Sequence, residues 1–149
     1  MLDHSVDKNE AFISVIMIAS ELFQHKGIPS IQAAHQYLED NFADYEIIVI
    51  EDKPHTFDSD QLNQFLKKVS SVRVIELSYE IGYEVALSAG LENAIGDYVV
   101  ILNPSTESLE VITPMVNLCK AGDIEVVVGV ADNVKKSFGY RLVRPFARV

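Results

Sequence analysis

Apolar residues along the chain fall into five short runs that are rich in β-branched side chains. Continuous runs of this kind are typical of strands in a sheet covered on both faces, because neither set of alternating side chains meets water. The pattern therefore predicts five buried strands. They span residues 12–19 (FISVIMIA), 45–50 (YEIIVI), 72–77 (VRVIEL), 97–102 (DYVVIL) and 124–130 (IEVVVGV).

Between these runs, apolar residues recur at helical spacing, which predicts four amphipathic helices. Pro29 suits the first turn of the first helix, and Gly122 stops the fourth. Asp58 and Ser59 are candidate caps at the start of the second. The apolar stripes are Ile31, Ala34, His35, Leu38 and Phe42; Leu62, Phe65, Leu66 and Val69; Val85, Ala86, Ala89 and Ala94; and Leu109, Ile112, Met115, Val116 and Cys119.

Strands and helices alternate throughout, and this order predicts an α/β fold with a mostly parallel central sheet and helices on both faces. Ligands in open α/β sheets bind beyond the carboxyl ends of the strands. The loops in which to search for a site are therefore residues 20–27, 51–59, 78–82 and 103–108.

The length of 149 residues fits one domain, predicted over residues 12–134, with a loose arm at 1–11 and a tail at 135–149. No apolar run approaches the roughly 20 residues that span a bilayer, and the start of the chain is polar and acidic. Cys119 is the only cysteine, so no internal disulfide forms. These features favour a cytoplasmic location, with the inner face of a membrane as the alternative.

Charge is distributed very unevenly along the chain. Residues 1–134 carry 7 basic and 22 acidic side chains, a formal charge of −15, whereas residues 135–149 carry five basic side chains and no acid. Because residues 1–134 are so acidic, they repel phosphates, and this argues against nucleic acid as a partner. The basic tail suits an anionic membrane surface or a lipid phosphate, and the alternative is that it closes onto the acidic body.

The most specific motif is VRVIELSYEIGYEVALSAGLENAIGDYVVILNPS at residues 72–105, preceded by EIIVIEDKP at 46–54. This block resembles the family 2 glycosyltransferases, including the polyprenyl-phosphate sugar transferases. The resemblance implies a nucleotide-diphospho-sugar transferase fold of the GT-A type and a UDP- or GDP-linked sugar as partner. Gly90 and Gly96 within it also have a structural explanation, since they let a helix pack closely and turn into the next strand.

The residues after the fourth strand depart from the family pattern. Where the family has an Asp-x-Asp motif that holds a divalent cation beside the diphosphate, this chain has Asn103, Pro104 and Ser105. Magnesium and manganese favour anionic oxygen ligands, so we expect no metal cofactor unless other residues repair the site. Glu107 is the candidate substitute; its alternative interpretation is an acid in the first turn of the next helix.

Nucleotide contacts are assigned by the same resemblance. Glu51 and Asp52 stand where the family has two acids that contact the base or ribose, and Ser20 and Asn103 directly follow the first and fourth predicted strands. A carboxylate accepts hydrogen bonds from a ribose hydroxyl or a base imide. The alternative for Asp52 is a solvated loop acid beside Lys53.

Near the expected crevice, Tyr83 stands where the family often has a lysine, and two acids are present as well, namely Glu80 and Glu84. No catalytic residue is assigned, because the family's catalytic base lies at or beyond the place where this chain stops. The resemblance of residues 138–148 to the start of an acceptor-side segment predicts a domain truncated at its C-terminus.

The sequence thus predicts a glycosyltransferase-like domain that is weakly active or inactive, because its metal and diphosphate sites are largely replaced. The first alternative is an active glycosyltransferase that needs a missing C-terminal part. The second is a non-catalytic interaction module.

Overall fold

The computed structural model describes residues 8–23, 27–53, 56–80, 82–103, 106–122 and 124–129. The predicted tail 135–149 and residues 1–7 of the predicted arm lie outside these ranges. The elements in chain order are β1 (Asn9–Ile18), α1 (Ala19–Phe23), α2 (Ile28–Asn41), β2 (Phe42–Glu51), α3 (Ser59–Leu66), β3 (Val72–Glu76), α4 (Tyr83–Asn93), β4 (Tyr98–Ile101), a 3₁₀ turn (Leu109–Val111) and α5 (Ile112–Ala121).

The four described strands form one sheet in the order β3-β2-β1-β4, and all neighbours are parallel. Val15 in β1 lies opposite Ile47 of β2 on one side and Val100 of β4 on the other. The predicted α/β class and parallel sheet are therefore confirmed, and the arrangement is consistent with a GT-A fold.

Each face of the sheet has its own core. On one face, side chains of β1 and β2 pack against α2, α3 and α5 through buried residues such as Leu38, Phe65 and Val116. On the other face, Ile16, Ile48 and their neighbours pack against α4. Because β1 and β2 are covered on both faces, each can be apolar at nearly every position, as the sequence predicted.

Helix α4 packs closely on the sheet at Gly90, as predicted. A Cβ built on Gly90 would lie 2.6 Å from Cγ2 of Ile16, a distance that real Cβ atoms do not tolerate. The helix lies over β1 and β2 and leaves β4 largely uncovered on that face of the sheet. Val99 and Ile101, which point to this face from β4, are therefore over 40% exposed. Val85, predicted to belong to the buried stripe of α4, is 49% exposed, so that assignment was wrong; Ala86 and Gly90 are the buried residues.

The predicted fifth strand is also wrong over its described residues, 124–129. Residues 124–129 contain no strand, and Val126 and Val128 are each 74% exposed. An apolar β-branched run becomes a strand only where a neighbouring strand accepts its backbone hydrogen bonds. No strand in the described ranges pairs with this segment.

Element boundaries near β1 and α2 differ from the prediction. Strand β1 begins at Asn9, so it includes the last three residues of the predicted arm, and the loop expected from residue 20 begins as helix α1. Phe42, predicted to end a helical stripe, is the first residue of β2 and is buried in the core. A side chain that follows a helix directly can extend its apolar stripe without being helical. None of the helices in the described ranges is long and apolar enough to cross a membrane.

Candidate functional site

The strand order places a topological switch point between β1 and β4. From β1 the chain proceeds to β2 and β3 on one side, and it then returns to form β4 on the other side of β1. Loops that leave neighbouring strands in opposite directions open a crevice at the carboxyl ends, where ligands bind in open α/β sheets. Ser20 closely follows β1 and Asn103 closely follows β4, so two of the predicted site residues lie at this crevice.

Asp52 is held at the same edge by Ser20. The backbone N–H of Ser20 donates to Oδ1 of Asp52 at 2.9 Å, and the Ser20 hydroxyl donates to Oδ2 at 2.6 Å. Asp52 is only 6% exposed, so the carboxylate is fixed in orientation. Since a carboxylate has about four lone-pair sites, Asp52 retains capacity to accept a hydrogen bond from a ligand.

Glu51 is buried, and its carboxylate stabilises the loop that follows β2 through hydrogen bonds. Its Oε1 accepts hydrogen bonds from the backbone N–H groups of Thr56 at 2.7 Å and Phe57 at 3.3 Å. The residue is 7% exposed. Glu51 was predicted to contact a nucleotide, and in this structure its carboxylate binds the backbone of Thr56 and Phe57.

Asn103 and Glu107 bind each other across the turn after β4. The backbone N–H of Asn103 donates to Oε2 of Glu107 at 2.8 Å, and the N–H of Glu107 donates to the Asn103 carbonyl oxygen at 2.9 Å. The Glu107 side chain therefore stabilises its own turn. Glu107 precedes Ser108, the N-cap of the 3₁₀ turn, so it is not the first-turn helical acid of its alternative interpretation. Pro104 and Ser105, the rest of the altered motif, lie outside the described residues.

Glu21 lies next to Ser20 in α1 and was not among the predicted site residues. Partial burial raises the pKa of Glu21, the negative charges of Glu107 and Asp52 raise it further, and a hydrogen bond from the Asn103 side chain partly opposes the shift. Burial also raises the pKa of Tyr83 at the start of α4, with smaller contributions from Glu21 and Glu107. The charges of Asp52 and Glu107 thus act on Glu21 from the loops after β2 and β4. The only available signal was that Glu21 follows Ser20.

Lys53 and Glu80 connect the loops after β2 and β3. Their charged groups lie 2.8 Å apart, and the hydrogen bond and charge of Glu80 raise the pKa of Lys53. Both side chains are more than half exposed. In the described parts of the loops at this edge, Lys53 is the only lysine or arginine.

Comparison with family models matches residues 28–145 to the description "Glycosyl transferase family 2". The chain belongs to glycosyl transferase family 2. The match covers most of the chain and includes Asp52, Asn103 and Glu107, whereas β1, Ser20 and Glu21 precede it. A comparison with curated proteins found no matching relative. Membership implies a nucleotide-sugar donor and an acceptor in general terms.

A family 2 domain is expected to place a divalent cation beside the diphosphate of the sugar donor. The described side chains at the crevice do not form a suitable set of ligands for such a cation. Asn103 offers a neutral amide in place of the family's first aspartate, and Oε2 of Glu107 accepts the backbone N–H of Asn103. In the described ranges, no three His, Cys, Asp or Glu side chains are grouped so that they could hold a metal ion.

We expect Ser20→Ala to destabilise this glycosyltransferase-family domain by about 1–2 kcal/mol, because a buried carboxylate loses a hydroxyl donor. Urea unfolding followed by circular dichroism measures the change. The matched control is Ser88→Ala, since the Ser88 hydroxyl donates only to the Glu84 carbonyl oxygen on an exposed helix surface. Equal stability losses in the two variants would show that the Ser20–Asp52 contact does not hold the two strand ends together.

Proposed function

We propose that this chain is a glycosyltransferase-like domain that binds a nucleotide or nucleotide sugar at the β1–β4 crevice without efficient glycosyl transfer. The supporting observation is the local structure after β4. Asn103 occupies the first position of the Asp-x-Asp motif, and the nearest acid, Glu107, is engaged by the Asn103 backbone. The proposed domain is therefore weakly active or inactive by itself.

The chemical reason concerns the leaving group. When a sugar is transferred from a nucleotide diphosphate, negative charge develops on the departing diphosphate, and cations must offset it. Glu21, Asp52 and Glu107 follow β1, β2 and β4, so the loops at the crevice carry negative charge instead. Carboxylates close to a diphosphate oppose its binding, and they oppose the more highly charged transition state still more strongly.

Retention of nucleotide binding is supported by Asp52. A carboxylate that is buried, fixed by two hydrogen bonds and still able to accept another is well suited to a ribose hydroxyl or a base imide. Ribose and base are uncharged, so the acidic crevice does not repel them as it repels phosphate. Recognition of the nucleoside can therefore persist after the diphosphate site has changed.

The test is release of free nucleotide from a panel of UDP- and GDP-sugars, with and without manganese. We expect no metal-dependent release above the enzyme-free rate, together with measurable binding of UDP or GDP by calorimetry. Clear turnover that depends on manganese would overturn the proposal.

A matched variant strengthens this test. Asn103→Asp combined with Ser105→Asp restores both acids of the motif at their own positions. We expect manganese to tighten UDP or GDP binding in this double variant and to have no effect on the unmodified chain. An equal response to manganese in both proteins would show that the altered motif is not the reason for low activity.

A further inference from the structure

We propose that Lys53 supplies the positive charge that meets the ligand's diphosphate, and that Glu80 competes with the ligand for this lysine. This inference rests on the proposed function and concerns the regulation of the same site. The Lys53–Glu80 ion pair would then be an internal competitor that keeps diphosphate affinity low until a ligand displaces it.

Charge balance at the strand ends supports the role of Lys53. A diphosphate that enters the crevice meets the negative charges of Glu21, Asp52 and Glu107. Some cation must offset them, since the described donor set does not fit a metal. Among the described loop residues at this edge, Lys53 is the lysine or arginine available for that purpose.

The position of Lys53 is suitable for this contact. It directly follows Asp52, whose carboxylate is bound to Ser20 at the end of β1. Neighbouring strands lie about 5 Å apart, so the end of β2 is only about 7 Å from the midpoint between β1 and β4. Lysine has a flexible four-carbon stem, and the Lys53 side chain is 51% exposed, so its ammonium group has room to turn away from Glu80.

The ion pair with Glu80 is weak enough to be displaced. The side chains of Lys53 and Glu80 are 51% and 67% exposed, and their charged groups are 2.8 Å apart. Exposed pairs of this kind change an equilibrium constant by a factor of roughly two to five. A diphosphate carries more negative charge than one carboxylate, so it can compete successfully for the ammonium group.

The experiment is calorimetric titration of UDP, GDP and the corresponding nucleosides into the full chain and its variants at low salt. Glu80→Gln is expected to tighten diphosphate binding about two- to fivefold, because the competitor is lost. Lys53→Gln is expected to weaken it about tenfold or more, because a charge-assisted hydrogen bond is lost. Nucleoside affinity is expected to remain the same in both variants.

Two control substitutions distinguish a local effect of the charges at positions 53 and 80 from an effect of the protein's net charge. Glu92→Gln removes an exposed acid near the other end of α4, and Lys67→Gln removes an exposed cation at the end of α3. We expect less than a twofold change in diphosphate affinity from either. If the controls match the test variants, net charge explains the effect and the inference is overturned.

A charge exchange tests whether the position of the lysine matters. Lys53→Glu combined with Glu80→Lys retains an ion pair but places the cation after β3. The thermal midpoint is expected to stay within a degree or two of the parent, whereas diphosphate affinity falls to the level of Lys53→Gln. Parent-like affinity in the exchanged protein would overturn the inference.

Failure of the inference and failure of the proposed function give different results. If UDP or GDP binds and the substitutions at positions 53 and 80 leave its affinity unchanged, only the role of the ion pair is wrong. If neither nucleotide binds the parent or Glu80→Gln, the proposed function fails and the inference fails with it.

Discussion

Replacing Gly96 with alanine is expected to destabilise the fold by about 3 kcal/mol, the upper part of the range for overpacked positions. Gly96 lies in the turn between α4 and β4, where its N–H donates to the Ser14 hydroxyl at 2.8 Å. A Cβ at this position would lie 2.6 Å from the Ser14 backbone nitrogen and 2.8 Å from the Ile13 carbonyl carbon. Backbone atoms of a central strand cannot move aside as the end of a flexible side chain can. Urea unfolding measures the loss.

The control for this substitution is Gly122→Ala after α5. A Cβ on Gly122 would meet its nearest neighbour, Cγ1 of Ile124, at 3.5 Å, which is an ordinary contact, and the backbone there is extended. We expect a change within about 0.5 kcal/mol, as for most surface substitutions. A Gly96→Ala variant as stable as Gly122→Ala would mean that the approach of this turn to β1 is looser than the structure shows.

The second large effect is expected at Glu46, where substitution by methionine should cost about 3 kcal/mol. Glu46 accepts hydrogen bonds from the Ser14 hydroxyl at 2.6 Å, from the Ile95 backbone N–H at 2.9 Å and from Arg73 at 3.0–3.1 Å. Arg73 also donates to the Asn93 carbonyl oxygen at the end of α4. Removing one carboxylate leaves several donors without an acceptor. Thermal and urea unfolding of Glu46→Met and Glu46→Gln measure the loss, which is expected to be smaller for glutamine.

The same carboxylate is expected to make stability sensitive to acid. Burial alone would raise the pKa of Glu46, but hydrogen bonds from Ser14 and Ile95 and the charge of Arg73 together bring it below its ordinary value. A lowered folded pKa gives stability that is present above the unfolded pKa of about 4.3 and is lost as pH falls through the folded pKa. The urea midpoint of the parent should therefore fall more steeply below pH 5 than that of Glu46→Gln. Parallel pH profiles would contradict this role.

The Glu46 network shows why part of the structure could not be predicted from the pattern of residues. In sequence, Glu46 is one acid within an apolar run, and Ser14 is one hydroxyl within another. Their contact exists because β1 and β2 are adjacent and Ser14 lies opposite Glu46 in the register. Strand order is set by long-range packing. Because β1 and β2 are apolar on both faces, no alternation of apolar and polar residues fixes their register either.

For the candidate site, too, some features were predictable from the sequence and others depended on the tertiary structure. The altered Asp-x-Asp positions, Asp52 and the expectation of a ligand edge at the strand ends were all available from the sequence. That Ser20 holds Asp52, that Glu107 binds the Asn103 backbone and that Glu21 adds a third carboxylate depended on distances between loops. Ser20 was selected as a nucleotide contact, and its observed hydrogen bonds are to a neighbouring side chain.

The amino-acid sequence by itself determined the α/β class, four of the five predicted strands and the family, because continuous apolar runs and the motif at residues 72–105 are local properties of the chain. Only the tertiary structure decided that residues 124–129 do not form a strand and that Lys53 is paired with Glu80. The physical reason is the same in both cases. Hydrogen bonds between strands and ion pairs between loops need a partner from a distant part of the chain, and packing decides which partners meet.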